Sequence, residues 1–201
     1  MHISDGILHP AVLVAGYGAC AGLTACGLRK LRHRDYPLVG IVTSSFFVAS
    51  LVHMPFGPTG IHLQLNSVVG LVLGVRCFPA FAVAILLQAV LLHHGGITTV
   101  GVNMVMFSVP AYLMGSLMRY GLRTKMRGII PFAAGSLTVL GTALIMFVVL
   151  AFCPLAKTAQ RDAFVNIAYF VFIAHVPVMV IEGIIAGLVV RYIQKVMPDV
   201  L

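Results

Sequence analysis

The sequence predicts an all-α, polytopic integral membrane protein with seven transmembrane helices, its N-terminus outside and its C-terminus in the cytoplasm. Of its 201 residues, 60% are hydrophobic and only 9% are charged, whereas soluble domains carry roughly 25% charged residues. Apolar runs near the length of about 20 residues needed to span a bilayer recur along the whole chain. This leaves no room for a soluble domain, so residues 1–201 are predicted to form a single transmembrane domain in the lipid bilayer.

Each helix is placed where an apolar run is bounded by charged or turn residues. The predicted helices cover residues 8–28, 38–54, 60–75, 77–94, 102–122, 129–153 and 163–192. The third and fourth are short and are separated only by Arg76, so a fused or re-entrant arrangement is the alternative.

The basic residues fix the predicted orientation. With seven spans, eleven of the thirteen share the side of the C-terminus, and only Lys157 and Arg161 lie opposite. The positive-inside rule makes the first side cytoplasmic, and a six-helix count would lose this asymmetry. The formal charge of +8 therefore indicates topology and no nucleic-acid partner. The eleven are Arg29, Lys30, Arg32, Arg34, Arg76, Arg119, Arg123, Lys125, Arg127, Arg191 and Lys195.

Histidines gather on the opposite, outer side of the predicted bundle. A single histidine at a membrane interface is often only an amphipathic residue at headgroup level, but a cluster indicates a metal site. His175 falls in the outer half of the last helix, and only His33 lies inside. The outer group comprises His2, His9, His53, His62, His93 and His94.

A chain that begins Met1-His2 can chelate a metal ion through its terminal amine, the amide nitrogen of His2 and the His2 imidazole. These three nitrogens lie in one plane, and nickel(II) favours square-planar nitrogen coordination. We expect His62 to supply the fourth nitrogen. No Lys or Arg precedes Arg29, so no basic signal-peptide region is present and Met1 is expected to remain on the mature chain.

His62 is predicted to begin a helix whose one face carries Asn66, Gly70 and Gly74 at four-residue steps. Small and polar residues on one face indicate that the face is turned into the bundle. On the residues alone, a histidine that bonds a loop carbonyl at the start of a helix remains the alternative.

Four segments in order resemble the CbiM/NikM family, the nickel and cobalt substrate-specific components of energy-coupling-factor transporters. The resemblance covers nearly the whole chain. It implies that the free N-terminus folds into the bundle, and that the Met1 amine, the His2 amide and imidazole, and His62 bind the metal. The segments are MHISDG at 1–6, GPTGIHLQLN at 57–66, QAVLLHHGGITTVGVN at 88–103 and AHVPVMVIEG at 174–183.

The resemblance favours the nickel branch, because the cobalt-type branch tends to carry a Cys-Ser-His-Pro-Thr-Gly run that this sequence lacks. It also implies a transmembrane coupling subunit and cytoplasmic ATPase subunits as partners, in the cytoplasmic (inner) membrane of a prokaryote. The chain has no G-x-x-x-x-G-K-[ST] phosphate loop of its own. It is predicted not to be an enzyme and to need no cofactor, with Ni(II) or Co(II) as the transported ligand.

Further polar residues are expected to orient the metal ligands or to serve elsewhere in the bundle. Glu182 is a functional candidate because it is an intramembrane carboxylate, although it lies too far from the outer face to bind the metal. Gln88 is expected only to form an interhelical hydrogen bond. The residues expected to support the ligands are Asp5, Asn66, His93, His94 and Asn103.

Three other functions remain open at this point. The first is a Co(II)-specific component that supplies cobalamin synthesis. The second is an ATP-independent metal channel, which should line several helices with polar residues through the bilayer. The third is a haem-binding membrane redox protein, which needs histidines at matching depth on facing helices, and only His175 lies within a predicted span.

Overall fold

The structure, a computed structural model, describes residues 2–56, 59–122, 128–151, 169 and 172–197, with the backbone alone described at 53–56 and 59–62. Seven α-helices, two 3₁₀ turns and one β-hairpin are described. They are α1 (Pro10–Arg29), a 3₁₀ turn (His33–Asp35), α2 (Tyr36–Ala49), β1 (His53–Phe56), β2 (Thr59–His62), α3 (Asn66–Leu73), a 3₁₀ turn (Gly74–Arg76), α4 (Cys77–Leu91), α5 (Val100–Gly121), α6 (Ile130–Ala151) and α7 (Val176–Val196).

The prediction of a helical membrane protein is confirmed. Among the described residues, five helical stretches are long and apolar enough to cross a bilayer. The predicted count of seven is therefore not reached by length and hydropathy. Helix α2 is too short, with 14 residues or about 21 Å, and α3 and α4 together form one apolar stretch. The five are Pro10–Arg29, Asn66–Leu91, Val100–Gly121, Ile130–Ala151 and Phe172–Val196.

Helix α3 runs in the same direction as α5. Gly70 packs against the backbone of Ala111, and Gly74, directly after the end of α3, faces the side chain of Arg119. Absence of a Cβ lets the two helices approach this closely. Gly70 therefore lies near mid-height of the 22-residue helix α5, and the eight residues of α3 cross only the half that holds Arg119.

Helix α4 runs the opposite way, so the chain reverses between α3 and α4. Gly74 adopts a positive φ of 56° at this point, a conformation that favours glycine. Pro79 at the start of α4 packs against Gly27 at the end of α1, whereas Gln88 near the end of α4 bonds His2, which precedes α1. The prediction of two segments around Arg76 rather than one straight helix agrees with this path.

Basic residues from three predicted inner loops meet at one end of the bundle. A cavity of about 340 Å³ is lined there by charged residues and by the α3–α4 reversal. Arg76 pairs with Asp35 across it, with 2.6 Å between Nη1 and Oδ1. The basic residues lining the cavity are Lys30, Arg32, Arg34, Arg76 and Arg119.

The predicted helices at 38–54 and 60–75 are wrong in the halves that adjoin each other. Helix α2 ends at Ala49, and the strands His53–Phe56 and Thr59–His62 pair antiparallel, with His53 opposite His62. Two prolines and two glycines between positions 55 and 60 explain the break, because both residue types disfavour a helix interior. His62 therefore does not share a helix face with Asn66, and the hairpin departs from the all-α prediction.

The remaining helices match their predictions except at the ends. Helix α4 ends at Leu91 instead of 94, and α5 and α6 begin and end within two residues of the predicted bounds. Helix α7 begins at Val176, after a helical turn from Phe172. The predicted start of the last helix at 163 lies outside the described residues.

Candidate functional site

The N-terminal segment ahead of α1 is inserted into the bundle, and Asn103 holds it there. Ile3 is only 2% exposed. Its N–H donates to Asn103 Oδ1 at 2.9 Å, and Asn103 Nδ2 donates back to the Ile3 carbonyl at 3.0 Å. Thr99 Oγ1 donates to the same carbonyl at 2.7 Å. Ile3, the residue after His2, is thereby fixed by three hydrogen bonds to side chains at the start of α5.

Asp5 forms a second attachment, to the loop between α4 and α5. Its Oδ1 accepts from the backbone N–H of Thr98 at 3.0 Å and from the Thr98 hydroxyl. The hydrogen bond from the Thr98 side chain, aided by nearby backbone N–H groups, lowers the pKa of Asp5. The carboxylate is therefore ionised at neutral pH and holds the N-terminal segment against this loop.

Two glycines make this close approach possible. Gly95 has a φ of +81°, and a Cβ there would lie 2.7 Å from Asn103 Nδ2 and 3.2 Å from the Cβ of His2. A Cβ on Gly96 would overlap the carboxyl group of Asp5. The Gly95-Gly96 pair therefore leaves the space that the N-terminal segment fills.

His2 is held in a defined orientation beneath this loop. Its Nε2 lies 3.0 Å from Gln88 Oε1, and its ring packs on Phe107 with centroids 4.8 Å apart. Because an amide oxygen only accepts hydrogen bonds, Nε2 carries the proton and Nδ1 carries the lone pair. Burial lowers the pKa of His2 well below its usual value, which favours the neutral ring that binds metals.

The other predicted residues of the outer cluster differ in their distance from His2. The ring of His94 is half-buried, with its centroid 5.9 Å from that of His2, whereas His93 is exposed and adopts a φ of +55°. Met1 and the side chain of His62 lie outside the described residues. Among the described residues, no three His, Cys, Asp or Glu side chains converge as a metal site.

Asn66 and Glu182 contribute to a separate group of polar residues, where α3 begins. Asn66 Nδ2 donates to Gln64 Oε1 at 2.9 Å. The Glu182 carboxylate, which is 1% exposed, accepts from the backbone N–H groups of Gln64 and Leu65. The structure thus places Asp5 and Asn103 at the N-terminal segment, and Glu182 at the segment that follows His62.

Gln88 is the main site residue that the sequence reasoning missed. It was expected to bond another helix, and it bonds the imidazole of His2 instead. The signal that could have placed Gln88 near the site was its position in α4, only five residues before His93. Phe107, at the end of the second turn of α5, carried no signal of its own in the sequence.

We expect Gln88→Leu to lower metal affinity about 10- to 100-fold, the range typical when a group that orients a metal ligand is lost. The substitution keeps the side-chain volume but removes the acceptor that sets the His2 tautomer. Gln88→Glu, which retains an acceptor oxygen, is the matched control and should bind more tightly than the leucine variant. If the leucine and glutamate variants bind the metal equally tightly in a chelator-competition titration, Gln88 has no orienting role.

Comparisons with known proteins agree with this architecture. A family model described as "CbiM: Cobalt uptake substrate-specific transmembrane region" matches residues 2–200. A protein of Haemophilus influenzae named for metal transport is 34% identical over 206 residues, covering 100% of this chain and 97% of its own. The cobalt transport protein CbiM of Clostridium tetani is 26% identical, covering 97% of this chain and 85% of its own.

Two solved structures share the fold. The crystal structure of a transition metal transporter superposes with a TM-score of 0.84 at 23% identity, covering 98% of this chain and 93% of its own. A truncated transition metal transporter gives a TM-score of 0.81, also at 23% identity, covering 97% of this chain and 99% of its own.

Proposed function

We propose, since this chain belongs to the CbiM family of membrane proteins for transition-metal uptake, that it captures nickel(II) outside the cell with its own N-terminus. The proposed ligands are the Met1 amine, the His2 amide nitrogen, the His2 imidazole and the imidazole of His62. The metal is the cargo of the protein, which then presents it for ATP-driven transport by partner subunits.

The observation that carries this proposal is the hydrogen bond between His2 and Gln88. It turns Nε2 towards Gln88 and gives the lone pair to Nδ1, the nitrogen that closes a six-membered chelate ring with the His2 amide. Metal-binding histidines usually donate their second ring N–H to such a partner. The anchoring of Ile3 by Asn103 further fixes the backbone next to this chelate.

The path of the chain supports His62 as the fourth ligand. Helices α3 and α5 are parallel, and Gly70 of α3 packs on Ala111 of α5. One turn earlier in each helix lie Asn66 and Phe107, which are therefore at about the same depth. His2 packs on that same Phe107. His62 precedes Asn66 by only four residues, so this depth of Asn66 favours His62 as the fourth ligand.

We further propose that the chain crosses the membrane seven times, with the N-terminus outside. In this proposal the reversal at Gly74 separates the crossing made by α4 from the one that ends with α3, whose eight residues cover only its inner half. The cavity lined by five basic residues marks the cytoplasmic end by the positive-inside rule, and His2 and His94 lie at the other end. The separation of these five basic residues from His2 and His94 supports the proposed orientation.

The ATPase is proposed to be supplied by partners, namely a transmembrane coupling subunit and cytoplasmic ATPase subunits of an energy-coupling-factor transporter. The sequence contains no phosphate-binding loop. A bacterial or archaeal cytoplasmic membrane is the location that this assembly requires.

Cobalt(II) is the second candidate cargo, because relatives such as that of Clostridium tetani are named as cobalt transport proteins. Nickel is preferred on chemical grounds. Three chelating nitrogens in one plane suit the square-planar geometry of nickel(II), whereas affinity order alone ranks nickel only slightly above cobalt.

Competition between the two ions tests the proposed cargo. We expect purified protein with a free Met1 to take up one nickel ion per chain and to retain it against an equal concentration of cobalt. The readout is metal content after desalting, measured for both ions in the same sample. Preferential retention of cobalt would move the assignment to the cobalt-specific component, and retention of neither would contradict the capture site.

A further inference from the structure

Glu182 lies at a break in the helical structure in the middle of the bundle. Residues 63–65 are non-helical between β2 and α3, and Leu65 adopts a left-handed φ of 51°. Helix α3 begins only at Asn66. Inside a bilayer, backbone that leaves the helix must find hydrogen-bond partners within the protein.

The Glu182 side chain supplies those partners. Its Oε2 accepts from the N–H of Leu65 at 2.9 Å, its Oε1 accepts from the same group at 3.1 Å, and Oε1 also accepts from the N–H of Gln64. The carboxylate therefore lies at the N-terminus of α3, where the helix dipole favours a negative charge. It bonds backbone two and three residues after His62.

The position of Glu182 is itself fixed by close packing of α7 on α6. A Cβ on Gly183 would lie 2.8 Å from the carbonyl oxygen of Phe132, and one on Gly135 would lie 2.8 Å from the carbonyl of Glu182. Ser136 Oγ also donates to the Met179 carbonyl at 2.8 Å. The rigid pair of α6 and α7 thus holds the carboxylate in place against the irregular segment.

We propose that Glu182 is a positioning residue for the metal site, which sets the location of His62 by clamping the backbone of Gln64 and Leu65. It does not touch the metal. This inference rests on the proposed function, because it requires His62 to be a ligand. It gives a role to a buried acidic residue whose carboxylate oxygens both accept from the backbone before α3.

A double-mutant cycle between Glu182 and His62 tests the proposal. Glu182→Gln keeps the size of the side chain but turns an amide NH₂ towards N–H donors. We expect this variant to bind nickel about 10- to 100-fold more weakly than wild type, as for other groups that orient a ligand. In a His62→Ala background the same change should cause no further loss, because the residue through which it acts is absent.

Ser45→Ala is the control. It removes a side-chain hydrogen bond to the Ile41 carbonyl within α2, away from Glu182 and the segment around Leu65, and it should leave nickel affinity unchanged. Glu182→Asp keeps the charge but shortens the side chain by one methylene, so it should show a smaller, equally His62-dependent loss. If Glu182→Gln does not fold, Glu182→Asp takes its place in the double-mutant cycle with His62→Ala.

The outcomes separate this inference from the proposed function. An unchanged affinity in both Glu182 variants, or an equal loss with and without His62, overturns the positioning role while leaving the ligand set intact. If His62→Ala alone has no effect, the proposed ligand set fails, and the inference fails with it. A loss that requires His62 supports both.

Discussion

One extra residue ahead of Met1 is expected to reduce metal uptake to background. Such an extension converts the terminal amine into an amide and moves His2 to the third position, so the proposed chelate can no longer form. The space around the segment is also closed, since even a Cβ on Gly95 would lie 3.2 Å from the Cβ of His2. The measurement is nickel accumulation in cells that express the partner subunits.

The readout must be uptake, because a histidine in the third position can itself chelate nickel through four nitrogens. Bare binding would therefore persist in the extended protein. A tag at the C-terminus is the control and should leave uptake unchanged. A cleavable extension that regenerates Met1 should restore uptake, and full uptake with an uncleaved extension would contradict a role for the amine.

His2→Ala is expected to weaken nickel binding on the order of 100-fold or more, beyond the range typical of groups that only orient ligands. The substitution removes one imidazole ligand and the chelate ring that it closes. The matched control is His93→Asn, because His93 is exposed and asparagine tolerates its left-handed φ.

The His93 variant should bind nickel as wild type does. Both affinities can be measured by competition with a chromophoric chelator in detergent, with circular dichroism to establish that the helices are intact. Equal losses in the two variants would contradict this ranking and assign His93 to the metal site alongside His2.

The sequence predicted some of the contacts that hold the N-terminal segment, while the metal site itself stays a prediction. Met1-His2 has chelating chemistry in its covalent structure, and Asn103 was expected near it from a shared side of the membrane. Gln88 could not be assigned to His2, because an amide in an apolar helix has the same pattern whether it bonds another helix or a ligand. Only the tertiary placement of the inserted segment distinguishes the two.

The fold was predictable where hydrophobic length decides the structure and not where irregular backbone interrupts it. Helices α5 and α6 agree with the apolar runs that predicted them. The segment at 60–75 was predicted as one helix although His62, Gln64 and Asn66 alternate with apolar residues at its start, so the hairpin and the left-handed Leu65 were missed. The density of proline and glycine from Pro55 to Gly60 was the signal for this break, and Glu182 is the partner that makes the break possible at that depth.

The most direct test of the N-terminal capture site is anomalous diffraction from crystals of the nickel-loaded protein with a free Met1. We predict a single strong peak bonded to the Met1 amine, the His2 amide nitrogen, His2 Nδ1 and the His62 imidazole, with His2 Nε2 still bonded to Gln88. A peak placed at His93 and His94, or one that leaves the Met1 amine uncoordinated, would contradict the account.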